Sequence, residues 1–235
     1  MESKRQIIAL GGGGFSMEPD NPALDQYILA QSPKSNPRVC FIPTASGDAQ
    51  SYTENFYAAF NKLSCQPSHL SLFRGHTADI EDFVQSQDIL YVGGGNTRNM
   101  LVLWHEWGLD KIIRIAYEHG IIMCGISAGA ICWFEEGLTD SVPNELNRLQ
   151  CLGFLKGSAS PHFDGEAERR PAFTSKIASG EMLPGIGIDD SCAVHYLNEE
   201  RFKIVASRES AQAYEFLKAG ETLKEIALHA EFLKE

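Results

Sequence analysis

Short apolar runs alternate with amphipathic stretches along most of this chain. Ile7–Leu10, Val39–Ile42, Ile89–Val92 and Ile121–Ile126 each hold four to six apolar residues, the signature of strands buried on both faces. Between them lie helical patterns. Asn21-Pro22 reads as a cap and first turn leading into a helix through about Ala30. Residues 51–63 set Phe56, Ala59, Phe60 and Leu63 on one face. His69–Phe73 reads as a third strand, and 77–85 as a short helix capped by Thr77. Helical pattern resumes over 98–105 and 109–118, with Gly120 placed to end it. The alternation predicts βαβ units around a mainly parallel, doubly wound α/β sheet in one domain spanning 1–235.

Beyond Ser127 the pattern loosens. Residues 152–155 and 185–189 read as strands. Ala193–Tyr196 and Phe202–Ala206 flank Asn198-Glu199-Glu200, which predicts a hairpin and a C-terminal antiparallel edge. The stretch 222–234 reads as a charged amphipathic helix, and Glu135-Glu136 as part of a solvated turn.

Four of these strands run directly into glycine-rich or serine-bearing loops. Gly125-Ile126-Ser127-Ala128-Gly129 joins an apolar strand to a helix-compatible run. A serine hydroxyl needs a base to take its proton and donors to stabilise the oxyanion. A sharp strand-to-helix turn exposes Oγ and aims the Ala128 N–H at a reacting carbonyl oxygen. Gly93-Gly94-Gly95-Asn96-Thr97 also ends a strand, where open α/β sheets bind ligands. If strand 89–92 neighbours strand 121–126, the Gly95 and Ala128 amides form a two-donor oxyanion hole. The plain alternative is a βα turn capped by Thr97.

Gly11–Gly14 lacks the third glycine of a dinucleotide fingerprint, because position 16 is Ser, and no ribose-binding acid ends the second strand. Close backbone packing, or a place on the rim of a site, is the better reading of these four glycines.

Seven histidines could supply a base. His105, His119 and His229 fall in helical patterns, His69 in a strand and His76 in the loop after it; His195 near the hairpin reads as structural. His162 follows Pro161 in the irregular segment Gly157–Asp164, at a strand end where catalytic side chains emerge. Asp189-Asp190 places paired carboxylates at another strand terminus.

Tyr-Val-Gly-Gly-Gly-Asn-Thr at 91–97, Gly-Ile-Ser-Ala-Gly-Ala at 125–130 and Ser-Pro-His-Phe-Asp at 160–164 together resemble the peptidase E (aspartyl dipeptidase) family of serine peptidases, to which cyanophycinases are related. The resemblance spans residues 7–206. It implies a doubly wound sheet like that of class I glutamine amidotransferases, cleavage after an N-terminal acidic residue, and no metal or cofactor. It makes Ser127 the nucleophile and His162 the base. The family's third triad member is a Glu; Asp190 stands at that position, one methylene shorter. Asp140, thirteen residues after Ser127, matches another acid carried by some members. The candidate orienting acids are thus Asp190, Asp140 and Asp189, in that order.

Holding a substrate carboxylate calls for a fixed guanidinium. Arg98, Arg169 and Arg170 are the candidates, with Asn96 as a further substrate-binding residue. Glu166-Ala167-Glu168-Arg169-Arg170 reads equally as a helix paired at i,i+3 and i,i+4.

Composition narrows the classes. The formal charge of −11 and the absence of a basic stripe argue against a nucleic-acid partner. No apolar run is long enough to span a bilayer, and no export signal precedes the first strand. The six cysteines contain no Cys-x-x-Cys pair and read as reduced thiols, which points to a cytoplasmic setting. The expected partner is a small peptide substrate, and a homodimer is compatible with the composition. An α/β-hydrolase esterase shares Gly-x-Ser-x-Gly, but its His comes later than 35 residues after the Ser. A binding domain that kept the fold without turnover is the third reading, motivated by the shortened acid at 190.

Overall fold

A computed structural model describes residues 4–75 and 79–234. The apolar runs form β1 (Gln6–Leu10), β2 (Arg38–Ile42), β4 (Ile89–Val92) and β5 (Ile122–Ile126), and the polar stretch Gln66–His69 forms β3. They pair in parallel in the order β1-β5-β4-β2-β3. Side chains alternate between faces with the period of two that a strand imposes. Ile7, Ala9, Cys40, Ile42, Leu90, Val92 and Met123 enter one core. Ile8, Leu10, Val39, Phe41, Ile89, Tyr91 and Cys124 enter the other.

Helices cover both faces. α1 (Gly14–Met17), α2 (Ala23–Leu29) and α3 (Gln50–Phe60) bury Phe15, Leu24, Ile28, Phe56 and Phe60 on one side. α4 (Ile80–Gln85), α5 (Thr97–Trp107), α6 (Leu109–Glu118) and α7 (Ala128–Ile131) bury Val84, Met100, Trp104 and Ile113 on the other. Trp104 is fully buried yet satisfied, because its indole N–H donates to Thr44 Oγ1 at 3.1 Å.

The second half departs from the expectation of one sheet. β6 (Phe134–Val142), β7 (Glu145–Gln150), β8 (Leu155–Ser160) and β9 (Gly185–Ile188) precede β10 (Cys192–Leu197) and β11 (Glu200–Ala206). β12 (Ala213–Ala219), β13 (Thr222–Leu228) and β14 (Glu231–Phe232) follow. β10 lies antiparallel on β1, β11 antiparallel on β10, and β14 beyond them, giving eight strands. The remaining six form a separate mixed sheet, ordered β13-β12-β9-β8-β6-β7. Its Phe134, Leu155, Ala159, Ile186 and Ile188 join the first core, so the sheets share an interior. α8 (Arg169–Ser179) covers the smaller sheet through Phe173 and Ile177.

Several expected elements are corrected. The supposed helix over 222–234 is β13 and β14, because seven residues of β13 ladder with β12. His229 lies between them. The third strand is Gln66–His69, set by register against β2, and Leu70 and Leu72 are buried just past it. The helix before β4 begins at Ile80, with the Asp79 side chain accepting the Asp82 N–H; Thr77 and His76 lie outside the described residues. The strand expected at 152–155 starts at Leu155. Glu135 and Glu136 belong to β6, where they accept the Gly157 and Leu183 N–H groups. All six cysteines are free thiols. Among the described residues, no helix is long and apolar enough to cross a membrane.

Candidate active site

Ser127 sits between β5 and α7 with φ 54 and ψ −110. A non-glycine residue in that region carries about 1–3 kcal/mol of strain. The surroundings hold it there: the Ser127 N–H donates to Leu10 O at 3.0 Å, and its carbonyl accepts from the Ala130 and Ile131 N–H groups. Gly125 and Gly129 allow the tight turn, since a Cβ on Gly125 would lie 2.3 Å from Gly129 O, and one on Gly129 2.2 Å from Val92 O.

β4 and β5 are neighbours, so the Gly93–Gly95 loop meets this turn. A Cβ on Gly94 would rest 3.5 Å from Ser127 Cβ. Gly95 has φ 134 and passes so close to Ala45 that only glycine fits, with 2.3 Å from an ideal Cβ to the Ala45 carbonyl oxygen. The Gly94 N–H donates to the Tyr52 hydroxyl at 3.2 Å. The Gly95 and Ala128 amides are hydrogen-bonded to no other group among the described residues.

His162 follows β8 and also has a positive φ, 49°. Its N–H donates to Gly11 O, and the Phe163 N–H to Ile188 O, both at 3.1 Å. The imidazole Nδ1 lies 2.6 Å from Asp190 Oδ1. A carboxylate only accepts, so in the neutral ring Nδ1 carries the proton and Nε2 the lone pair. Asp190 is held in turn: its N–H donates to Asp164 Oδ1, and Arg208 bridges Asp164 Oδ2 and Asp190 O.

Gly11 and Gly12 of the glycine run seat this pair. Gly11 takes the His162 N–H and Gly12 takes the Ser191 N–H. Cβ atoms on Gly12 and Gly165 would each fall 2.0 Å from an Asp190 carboxylate oxygen. The expectation of close backbone packing is met here.

Ser127 and His162 line one open cavity of about 420 Å³, together with the Gly94–Gly95 loop, Ser16 and Met17 of α1, and Ser51, Tyr52 and Asn55 of α3. The Ser127–His162 hydrogen bond itself is not made in this structure; such bonds tighten when substrate binds. Burial raises the Tyr52 hydroxyl pKa, partly offset by hydrogen bonding to Ser16 and Gly94. The three α3 residues escaped the sequence reading because nothing in a helical pattern says which loop its exposed face meets.

Other expected site residues lie elsewhere. Asp140 is exposed and pairs with Arg169 at 3.5 Å rather than with His162. Asp189 points into the interior, accepts the Gln212 N–H, and has its pKa raised to about 6 by burial. Asn96, not Thr97, caps α5: it accepts the Asn99 N–H and donates to Ser141 O. Arg169 is buried, bonded to Glu166 and to Leu138 O. Arg170 stacks over Tyr214 and Phe163 and pairs with Glu225. Arg98 is exposed at the start of α5 and does not line the cavity. His195 is buried between Tyr27 and Gln6, and burial pushes its pKa down to about 4.

The model of peptidase family S51 matches residues 7–205, which includes Ser127, His162 and Asp190. The chain belongs to peptidase family S51. It is 55% identical over 229 residues to the uncharacterized peptidase YgaJ of Bacillus subtilis, covering 97% of this chain and 99% of that one. A Listeria monocytogenes uncharacterized peptidase, Lmo0363, is 28% identical over 54% of this chain and 65% of its own length. Among solved structures, a candidate peptidase E protein of Listeria monocytogenes superposes with TM-score 0.62 at 20% identity, covering 87% of this chain and 99% of that one. A peptidase from an acI-B1 Actinobacterium does so with TM-score 0.63 at 16% identity, covering 97% and 98%. At those identities the superpositions speak to fold alone: a mixed α/β architecture shared with peptidase E structures. The S51 peptidase assignment sets aside the α/β-hydrolase esterase.

Proposed function

We propose that this S51 peptidase is a serine peptidase of short peptides in which Ser127, His162 and Asp190 act as a triad. The observation that carries this reading is the 2.6 Å bond from His162 Nδ1 to Asp190, with His162 and the strained Ser127 facing one cavity. Asp190 fixes the tautomer, leaving Nε2 to accept the Ser127 proton as Oγ attacks the scissile carbonyl. The Gly95 and Ala128 amides donate to the resulting oxyanion. As the C–N bond breaks, His162 Nε2–H protonates the leaving amine, and water then releases the acyl group by the same proton route.

An acid one methylene shorter than the family's Glu motivates a non-catalytic reading. That motive is weak where Asp190 meets His162 at 2.6 Å. The cleavage after N-terminal aspartate implied by the family resemblance lacks similar support. Arg169 and Arg170 are committed to other partners, and no arginine lines the cavity.

Ser127→Ala should abolish hydrolysis of a dipeptide panel while leaving the circular-dichroism spectrum and Tm unchanged. A fluorophosphonate probe should label the wild type at Ser127 alone. Retained turnover in the variant would exclude the mechanism.

A further inference from the structure

We infer that the subsite beside Ser127 takes an uncharged, hydrogen-bonding side chain, a carboxamide such as Asn first, rather than a carboxylate. This rests on the reading of Ser127 and His162 as the reacting pair. The six other side chains that line the cavity around them are Ser16, Met17, Ser51, Tyr52, Asn55 and Ile126. None carries a formal charge, and no Lys or Arg is among the lining residues.

A carboxylate entering there finds no cation to pair with, so it exchanges part of its hydration for hydrogen bonds from neutral groups alone. The chain's net charge of −11 adds a long-range field opposed to anions. Arg208, which approaches the site from behind, is taken up by Asp164 and the Asp190 carbonyl.

A carboxamide has the complementary inventory. It offers one acceptor and two donors, and Ser16, Ser51 and Asn55 each offer both kinds of group. Tyr52 already accepts the Gly94 N–H and is hydrogen-bonded to Ser16, so Ser51 and Asn55 carry most of the match. Sites built to hydrogen-bond a neutral group reject the ionised isostere because one set of polar groups is left unmatched.

The test compares two isosteric dipeptides, Asn-Leu and Asp-Leu, in two assays. Wild-type kcat/KM should favour Asn-Leu by about tenfold or more, the scale of one unsatisfied polar group. Calorimetric binding to Ser127→Ala should show the same preference. Asn55→Arg, which installs a guanidinium at the cavity, should invert the ratio in both assays. If Ser127→Ala binds Asn-Leu preferentially but the wild type cleaves neither dipeptide, the neutral subsite stands and the triad reading falls. Equal or better cleavage or binding of Asp-Leu, or binding of neither dipeptide, overturns the inference.

Discussion

Gly12 and Asp190 occupy each other's space: an ideal Cβ on Gly12 would sit 2.0 Å from the Asp190 carboxylate oxygen that bonds His162. The glycine run after β1 is therefore a mould for the acid. Gly12→Ala should displace the carboxylate and lower kcat by roughly 10²-fold, the scale of an ångström-sized misplacement. Steady-state kinetics should register the loss while the far-ultraviolet circular dichroism stays native.

The same mould sets the length of the acid. Gly165 closes on Asp190 from its other side, also at 2.0 Å. Asp190→Glu, although it installs the residue that the family resemblance implies, should lower kcat because the added methylene has nowhere to go. Asp190→Asn should cost on the order of 10³ to 10⁴ in kcat by favouring the wrong imidazole tautomer. Asp140→Ala should leave kcat near wild type. Equal losses in Asp140→Ala and Asp190→Asn would mean that the orienting acid is misassigned.

Beneath α1 lies a buried carboxyl, Asp25, which accepts from the Tyr91 hydroxyl at 3.2 Å. Burial raises its pKa from 3.8 to about 7, partly offset by hydrogen bonding from Tyr91 and the Phe15 backbone. The folded state then binds more protons than the unfolded state between about pH 4 and 7, so stability falls as pH rises through that window. The ceiling on this loss is about 4 kcal/mol, three pKa units at ~1.4 kcal/mol each. Asp25→Asn removes the titration. Chemical denaturation should therefore find the variant's advantage over wild type larger at pH 8 than at pH 5.

Arg169 works as a strut. Its guanidinium ties Glu166 to the Leu138 carbonyl while itself almost fully enclosed. Arg169→Met should cost about 2 kcal/mol and lower Tm by roughly 4–8 °C, with KM for peptides unchanged. A raised KM at unchanged Tm would instead make Arg169 a substrate-binding residue.

The parallel core was legible because four of its five strands, β1, β2, β4 and β5, carry apolar runs, whereas β3 reads Gln-Pro-Ser-His and was misplaced; the loops that end β4 and β5 announce themselves through glycine and serine. The second sheet was not legible. β6 reads Phe-Glu-Glu-Gly-Leu-Thr-Asp-Ser-Val, and its glutamates are spent on backbone amides of neighbouring segments that local pattern cannot supply. In β13, Leu223 and Ile226 fall at helical spacing among good helix formers, yet pairing with β12 overrides that propensity. The choice among Asp140, Asp189 and Asp190 depended on which carboxylate the glycine run would admit. That is a fact of shape, and the chain carries it only in the absence of side chains at positions 12 and 165.

Ser127 leaves the larger sheet at the end of β5, whereas His162 hangs from β8 and Asp190 from β9 of the smaller one. If these three form the proposed triad, turnover is a gauge of how firmly the two sheets are seated on each other. Any partial melting that frees the smaller sheet will silence the enzyme while most of the helical signal survives, so heat should extinguish activity before it erases the spectrum.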